Sequence, residues 1–130
     1  FFREAGSAVT DVTHVRKGAG LKAVRQLGDH AHEFTVLGFH RSSDLQFESH
    51  LISVSRNRKA AAPTYAGQGC VAIYVLEGDV VYRHADKLYP MKPGDSLFFD
   101  ADAPHGPEEM TKLPIRFLSV ISYPRERDQD

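Results

Sequence analysis

Cysteine is almost absent: Cys70 is the single one in 130 residues. An internal disulfide framework is therefore excluded, and a reducing compartment, the cytoplasm by default, is the expectation. Long apolar runs are missing too. The longest, "CVAIYVL" from Cys70 to Leu76, falls far short of the roughly 20 residues that a membrane helix needs, and no basic segment followed by an apolar one opens the chain as a secretory signal would. No partner in a membrane is expected. Neither sign of charge dominates, since 16 Lys and Arg face 17 Asp and Glu for a formal charge of −1. A chain so balanced has no broad cationic surface for a phosphate backbone, so contact with DNA is not expected from these residues themselves. Internal repeats, low-complexity tracts and a sustained helical stripe are also lacking. The "GAG" at residues 18 to 20 has neither the longer glycine pattern nor the following helix of a phosphate loop.

What the chain does have is 42% hydrophobic residues and enough length for one domain with a proper core. After Gly18 and Gly20 come short segments rich in Val, Ile, Phe and Tyr, each ended by Gly, Pro, Asp or Asn. This punctuation predicts about eight strands, at 21–26, 32–39, 47–53, 71–77, 80–85, 87–90, 96–100 and 115–123. Many short strands without helices mean an all-β sandwich or barrel. In "HEFTVLGFH" the set His32, Phe34, Val36 opposes Glu33, Thr35, Leu37 across a strand. "CVAIYVL" is apolar on both faces and predicts a central strand covered on both sides. The charged "RNRK" run reads as a solvated loop. "FFREAGSAVTDVT", residues 1 to 13, reads as a helix remnant and linker, and a first residue of Phe is expected of a fragment.

Two blocks carry more specific information. "YVLEGDVVYRH" is followed about 20 residues later by "PGDSLFFDADAPHG". Together they resemble the cupin family, small jelly-roll β-barrels, over roughly Thr64 to Tyr123. The former is similar to the end of the first cupin motif at Glu77 and Gly78. The latter is similar to the motif built on Pro93, Gly94, Asp95 and the Pro104–His105 pair. "FFREAG", with the linker and "VRKGAGLKAVRQ", resembles the junction of XRE-type bacterial regulators, in which a helix-turn-helix domain precedes a C-terminal cupin. The resemblance implies a linker at 1–13, a cupin barrel at 14–126 and a tail at 127–130. It further implies a sensor that binds a small-molecule effector or forms a homodimer, reaching DNA only through an N-terminal domain absent from this sequence.

Metal-binding members of the family place two histidines and a glutamate before the "YVLEG" block and a further histidine in the later motif. Here Gly67 and Gly69 fall about where the first histidine pattern would stand, and Cys70 and Val71 where acidic residues would be expected. His105 matches the later-motif histidine alone. One imidazole does not hold a metal where even open catalytic sites use three protein ligands, so no cofactor, and in particular no divalent metal, is expected. The alternative is a metal-dependent cupin enzyme of dioxygenase or isomerase type using His105. For a ligand in the barrel, the candidate polar contacts are Tyr74, Tyr82, His50, His105 and Arg116, with no catalytic residue assigned. His30 and His32 in "DHAHE" share a strand face but read as part of a surface hairpin. His50, on a face with Ile52 and Val54, reads first as a core histidine, and Cys70 as a small buried hydrophobe. His14, His40 and His84 receive no role.

Overall fold

Strands form here because apolar and polar side chains alternate with a period of two over long stretches, so that one face of each stretch has somewhere to be buried. The computed structural model describes residues 12–27, 30–56 and 65–124. The expected helix remnant and most of the linker, the "RNRK" loop beyond Arg56, and the tail lie outside the described residues. The elements are β1 (Lys22–Leu27), β2 (His30–Arg41), β3 (Leu45–Arg56), β4 (Cys70–His84), β5 (Lys87–Met91), β6 (Ser96–Asp100) and β7 (His105–Pro124). The described residues form no helix, and the all-β jelly-roll expectation stands. All pairings are antiparallel, in the order β1-β2-β3-β7-β4-β5, with β6 pairing β4 as well.

Among the described residues seven strands replace the expected eight because one breaker does not break. The chain runs on through Glu77-Gly78-Asp79, so the segments at 71–77 and 80–85 are one strand of 15 residues. Gly78 adopts φ +84°, a left-handed conformation that costs glycine nothing, and the β4–β7 register shifts repeatedly between Val75 and Val80. These irregularities bend the ladder without ending it. The proline-rich loop after Asp100 is also shorter than expected. From His105 the chain pairs with the second half of β4, Tyr82 opposite Pro107 and Val80 opposite Met110. Pro107 sits at a register shift, where a missing N–H costs the ladder little.

The bend divides β4 and β7 into two halves each. The first half of β4 lies between β6 and β7 and the second half between β5 and β7. Inward-facing Val71, Ile73 and Val75 of the first half join Val80 and Tyr82 of the second in one core cluster, with Val54, Met110, Ile115 and Phe117. Three rows of side chains cross the inner face in register: His32, Val54 and Ile115; then Phe34, Ile52, Phe117 and Val75; then Val36, His50, Ser119 and Ile73. Lys92 to Asp95 makes the tight turn into β6. Its Gly94 stands at φ +95°, and the Asp95 carboxylate accepts from the Lys92 N–H at 2.9 Å.

The expectation that "CVAIYVL" is covered on both faces is corrected. Its inner residues are buried, while outward-facing Tyr74 and Leu76 are exposed, because no described element packs over that face. Phe98 on β6 and Val120 on β7 flank Ala72 of β4 on the same outer face, and Phe98 is 75% exposed.

Candidate functional site

The curled sheet forms a cavity of about 390 Å³ against its concave face, open on one side. Residues from β2, β3, both halves of β4 and β7 line it, together with Tyr65. Its apolar walls are Phe34, Val36, Ile52, Val71, Phe117 and Ile121, and its polar groups are His32, His50, Tyr65, Tyr82, His105 and Ser119. Among the described residues no Asp, Glu, Lys or Arg lines it. A broader depression of about 720 Å³ lies by Gln46, Cys70, Asp100 and Tyr123. It is the more open and more polar of the two, so the cavity on the concave face is the better candidate for a small molecule.

His105 enters the cavity because Tyr65 and the start of β7 bridge. Tyr65 N–H donates to the His105 carbonyl at 2.7 Å, and His105 N–H donates back at 2.9 Å. The His105 ring is fixed from behind, its Nδ1 donating to the Ala103 carbonyl at 3.0 Å. A carbonyl only accepts, so Nδ1 carries the proton and, in the neutral ring, Nε2 is the acceptor left for a ligand. The ring lies 4.8 Å from Phe99, 6.5 Å from Tyr82 and 6.4 Å from Tyr65 between centroids. Across the space, His32 Nδ1 and the Tyr65 hydroxyl share a hydrogen bond of 2.9 Å. Tyr82 is buried, and burial, helped by nearby Tyr65, raises its pKa beyond the usual phenol range. It is a hydroxyl, and a proton donor, at any ordinary pH.

Three of the five expected contacts, Tyr82, His50 and His105, come together here. Tyr74 does not: it points outward from β4. Arg116 does not either, since it is half exposed and pairs with Glu77 at 3.7 Å. His50 is partly buried on the cavity wall, 3.6 Å from the Glu48 carboxylate, which also accepts from the Tyr123 hydroxyl at 2.8 Å. Burial, with that hydrogen bond, pushes the Tyr123 pKa up to about 12.

His32 is the main correction. Far from sitting on a surface hairpin, it is 1% exposed. The signal lies in its alternation with Phe34 and Val36, which turn the same way into the cavity. Ser119 has the same signal, one same-face step from Phe117 and Ile121. Tyr65 has none, because its backbone bridge to distant His105 and its hydroxyl bond to His32 are tertiary contacts that leave no periodic trace.

Cys70 is likewise corrected, being exposed. Its thiol donates to Asp100 at 3.3 Å, and that hydrogen bond, with partial desolvation and the carboxylate charge, raises its pKa. Less thiolate at a given pH means slower attack. Iodoacetamide labelling near pH 8 is expected to run several-fold slower than for a free cysteine, and Asp100→Asn to restore the faster rate, as followed by mass spectrometry.

As a donor set for a transition metal, the cavity falls short. Its imidazoles have no carboxylate among the lining residues, and no three His, Cys, Asp or Glu side chains among the described residues are grouped to hold an ion. A centre with three protein ligands is not made up by these residues.

The comparisons with known proteins follow the same fold. Residues 59–121 match the family model described as the cupin domain. No protein of curated function shows a significant match in sequence. Among solved structures, the iron(II) form of HppE superposes with a TM-score of 0.70 at 16% identity, over 88% of this chain and 62% of that one. An HTH_3 family transcriptional regulator from Vibrio cholerae gives 0.58 at 22% identity, over 72% of this chain and 52% of that one. The Cupin_2 domain of an XRE family transcriptional regulator from Enterobacter cloacae gives 0.53 at 21% identity, over 61% of this chain and 83% of that one. The chain thus spans only about half to three fifths of the length of the first two. At these identities the superpositions speak for the fold alone, and together with the family match over residues 59–121 they indicate a cupin fold.

Proposed function

We propose that this chain is the ligand-sensing and dimerisation domain of a bacterial transcriptional regulator, binding a small organic molecule in its cavity without a complete metal site. The observation that carries this reading is the cavity itself: concave, largely apolar, with a few fixed polar groups and, among the described residues, no charged side chain in its lining. That is the pattern of a small-molecule site. The likeness to regulator cupin domains supports the regulatory part, in which DNA is reached through a separate helix-turn-helix domain and the protein works in the cytoplasm. The exposed outer face around Phe98, Ala72, Val120 and Tyr74 supports a second copy of the chain as its cover.

Such a ligand acts only by binding one arrangement of the dimer more tightly than another. A metabolite mixture is therefore expected to raise the unfolding temperature of the domain and to change the operator affinity of the full-length regulator. A library that does neither would contradict sensing. The rival reading is a metal-dependent oxygenase or isomerase built on His105, favoured by the available Nε2 and by the likeness to HppE. Its discriminator is a stoichiometric metal.

A further inference from the structure

Polar atoms of the cavity lining without a hydrogen-bond partner among the described residues include His105 Nε2, the Tyr82 hydroxyl and Ser119 Oγ. These atoms face the cavity and stay open to a guest that enters it. A ligand that answers these atoms gains over an apolar guest, which would bury them unpaired.

Their chemistry differs and is fixed. His105 Nδ1 donates to Ala103, so Nε2 asks for a donor, whereas the Tyr82 hydroxyl offers a proton to an acceptor. The two rings are nearly parallel, 20° apart with centroids 6.5 Å apart, and both line the cavity, one supplying an acceptor and the other a donor. Ser119 lies beyond the band made by Phe34, Ile52 and Phe117, opposite His50. Phe117 meets Tyr82 edge-on at 6.2 Å, and Ser119 is one same-face step further along β7, about 7 Å.

We infer that the ligand is a flat, uncharged, two-ended molecule. At one end a carboxamide-like head donates to His105 Nε2 and accepts from Tyr82. At the other end a hydroxyl or carbonyl meets Ser119, and an aromatic or unsaturated middle lies over Phe34, Ile52 and Phe117. Among the described residues none of the lining is charged, so they offer no matched counter-ion; the nearby Glu48 carboxylate is already engaged by His50 and Tyr123. This inference rests on the cavity being the ligand site.

The test is a titration of the whole chain, followed by NMR chemical shifts, with 4-hydroxybenzamide, benzamide and N,N-dimethyl-4-hydroxybenzamide, which has lost its head donor. The hydroxylated primary amide is expected to bind best, and each compound lacking one group to bind roughly three- to tenfold more weakly, as for one net hydrogen bond. Tyr82→Phe keeps the ring and is expected to cost the primary amide a similar factor. Ser119→Ala is expected to erase the difference between 4-hydroxybenzamide and benzamide. Equal binding of all three compounds, or indifference to both substitutions, would overturn the assignment. Shifts at cavity residues with p-xylene but with none of the amides would overturn it too, leaving the cavity as a ligand site. If no probe, apolar ones included, moves any cavity residue, the proposed ligand site falls with it.

Discussion

Phe117→Ala is expected to destabilise the domain by about 3–5 kcal/mol, the usual cost of removing a buried aromatic ring. Phe117 is 3% exposed. It sits in the middle of the second inner row, between Ile52 on β3 and Val75 on β4, with Tyr82 against its ring. It belongs at once to the core cluster and to the cavity wall. Its removal therefore joins the lost ring volume to the existing cavity, where the walls cannot collapse without moving both halves of β4. Phe117→Leu retains most of the volume and is expected to cost less than about 1.5 kcal/mol. Urea denaturation measures both. A Phe117→Ala midpoint within error of the parent would mean that the row is not packed as described.

The second large effect is at Gly78. Alanine there must adopt φ +84°, and its Cβ would run into the Pro114 carbonyl oxygen and come within 2.6 Å of that of Lys112. Backbone atoms held in a paired ladder do not move aside cheaply. The left-handed conformation and the clash together are expected to cost about 2–4 kcal/mol. Because the bend at Gly78 turns the second half of β4 toward the first, Gly78→Ala is also expected to shift Tyr82 and His105 and to weaken any cavity ligand. Gly94→Ala serves as the comparison: it carries a similar backbone cost at φ +95° but has nothing within 4 Å of the added carbon. Thermal unfolding that ranks Gly94→Ala as the worse of the two would contradict this account of the bend.

Much of the architecture is legible in period-two alternation. The rows through Phe34, Ile52 and Phe117 follow directly from it, as does the inward turn of His50 and Tyr82. Alternation fails where a breaker residue is absorbed. Gly78 and Pro107 look like strand ends in sequence, but the one supplies a conformation and the other tolerates a missing hydrogen bond within a continuing ladder. Alternation also does not say which face is covered. Tyr74 therefore reads as a cavity residue, although the opposite face of its strand, with Val71, Ile73 and Val75, is the inner one. Arg116 fails for the same reason, since its neighbours Ile115 and Phe117 are the ones turned inward. Tyr65 is beyond sequence reasoning, because a single bridge to distant His105 leaves no periodic trace.

The central claim is that the cavity holds an organic ligand and not a metal centre. Native mass spectrometry of the untagged chain, purified without chelators beside its His105→Ala variant, tests it most directly. The account predicts a dimer carrying either no adduct or a small organic one, with no stoichiometric metal in either sample. A transition metal bound one per chain in the parent and lost in His105→Ala would contradict it, and would make His105 part of a ligand set completed by residues outside those described.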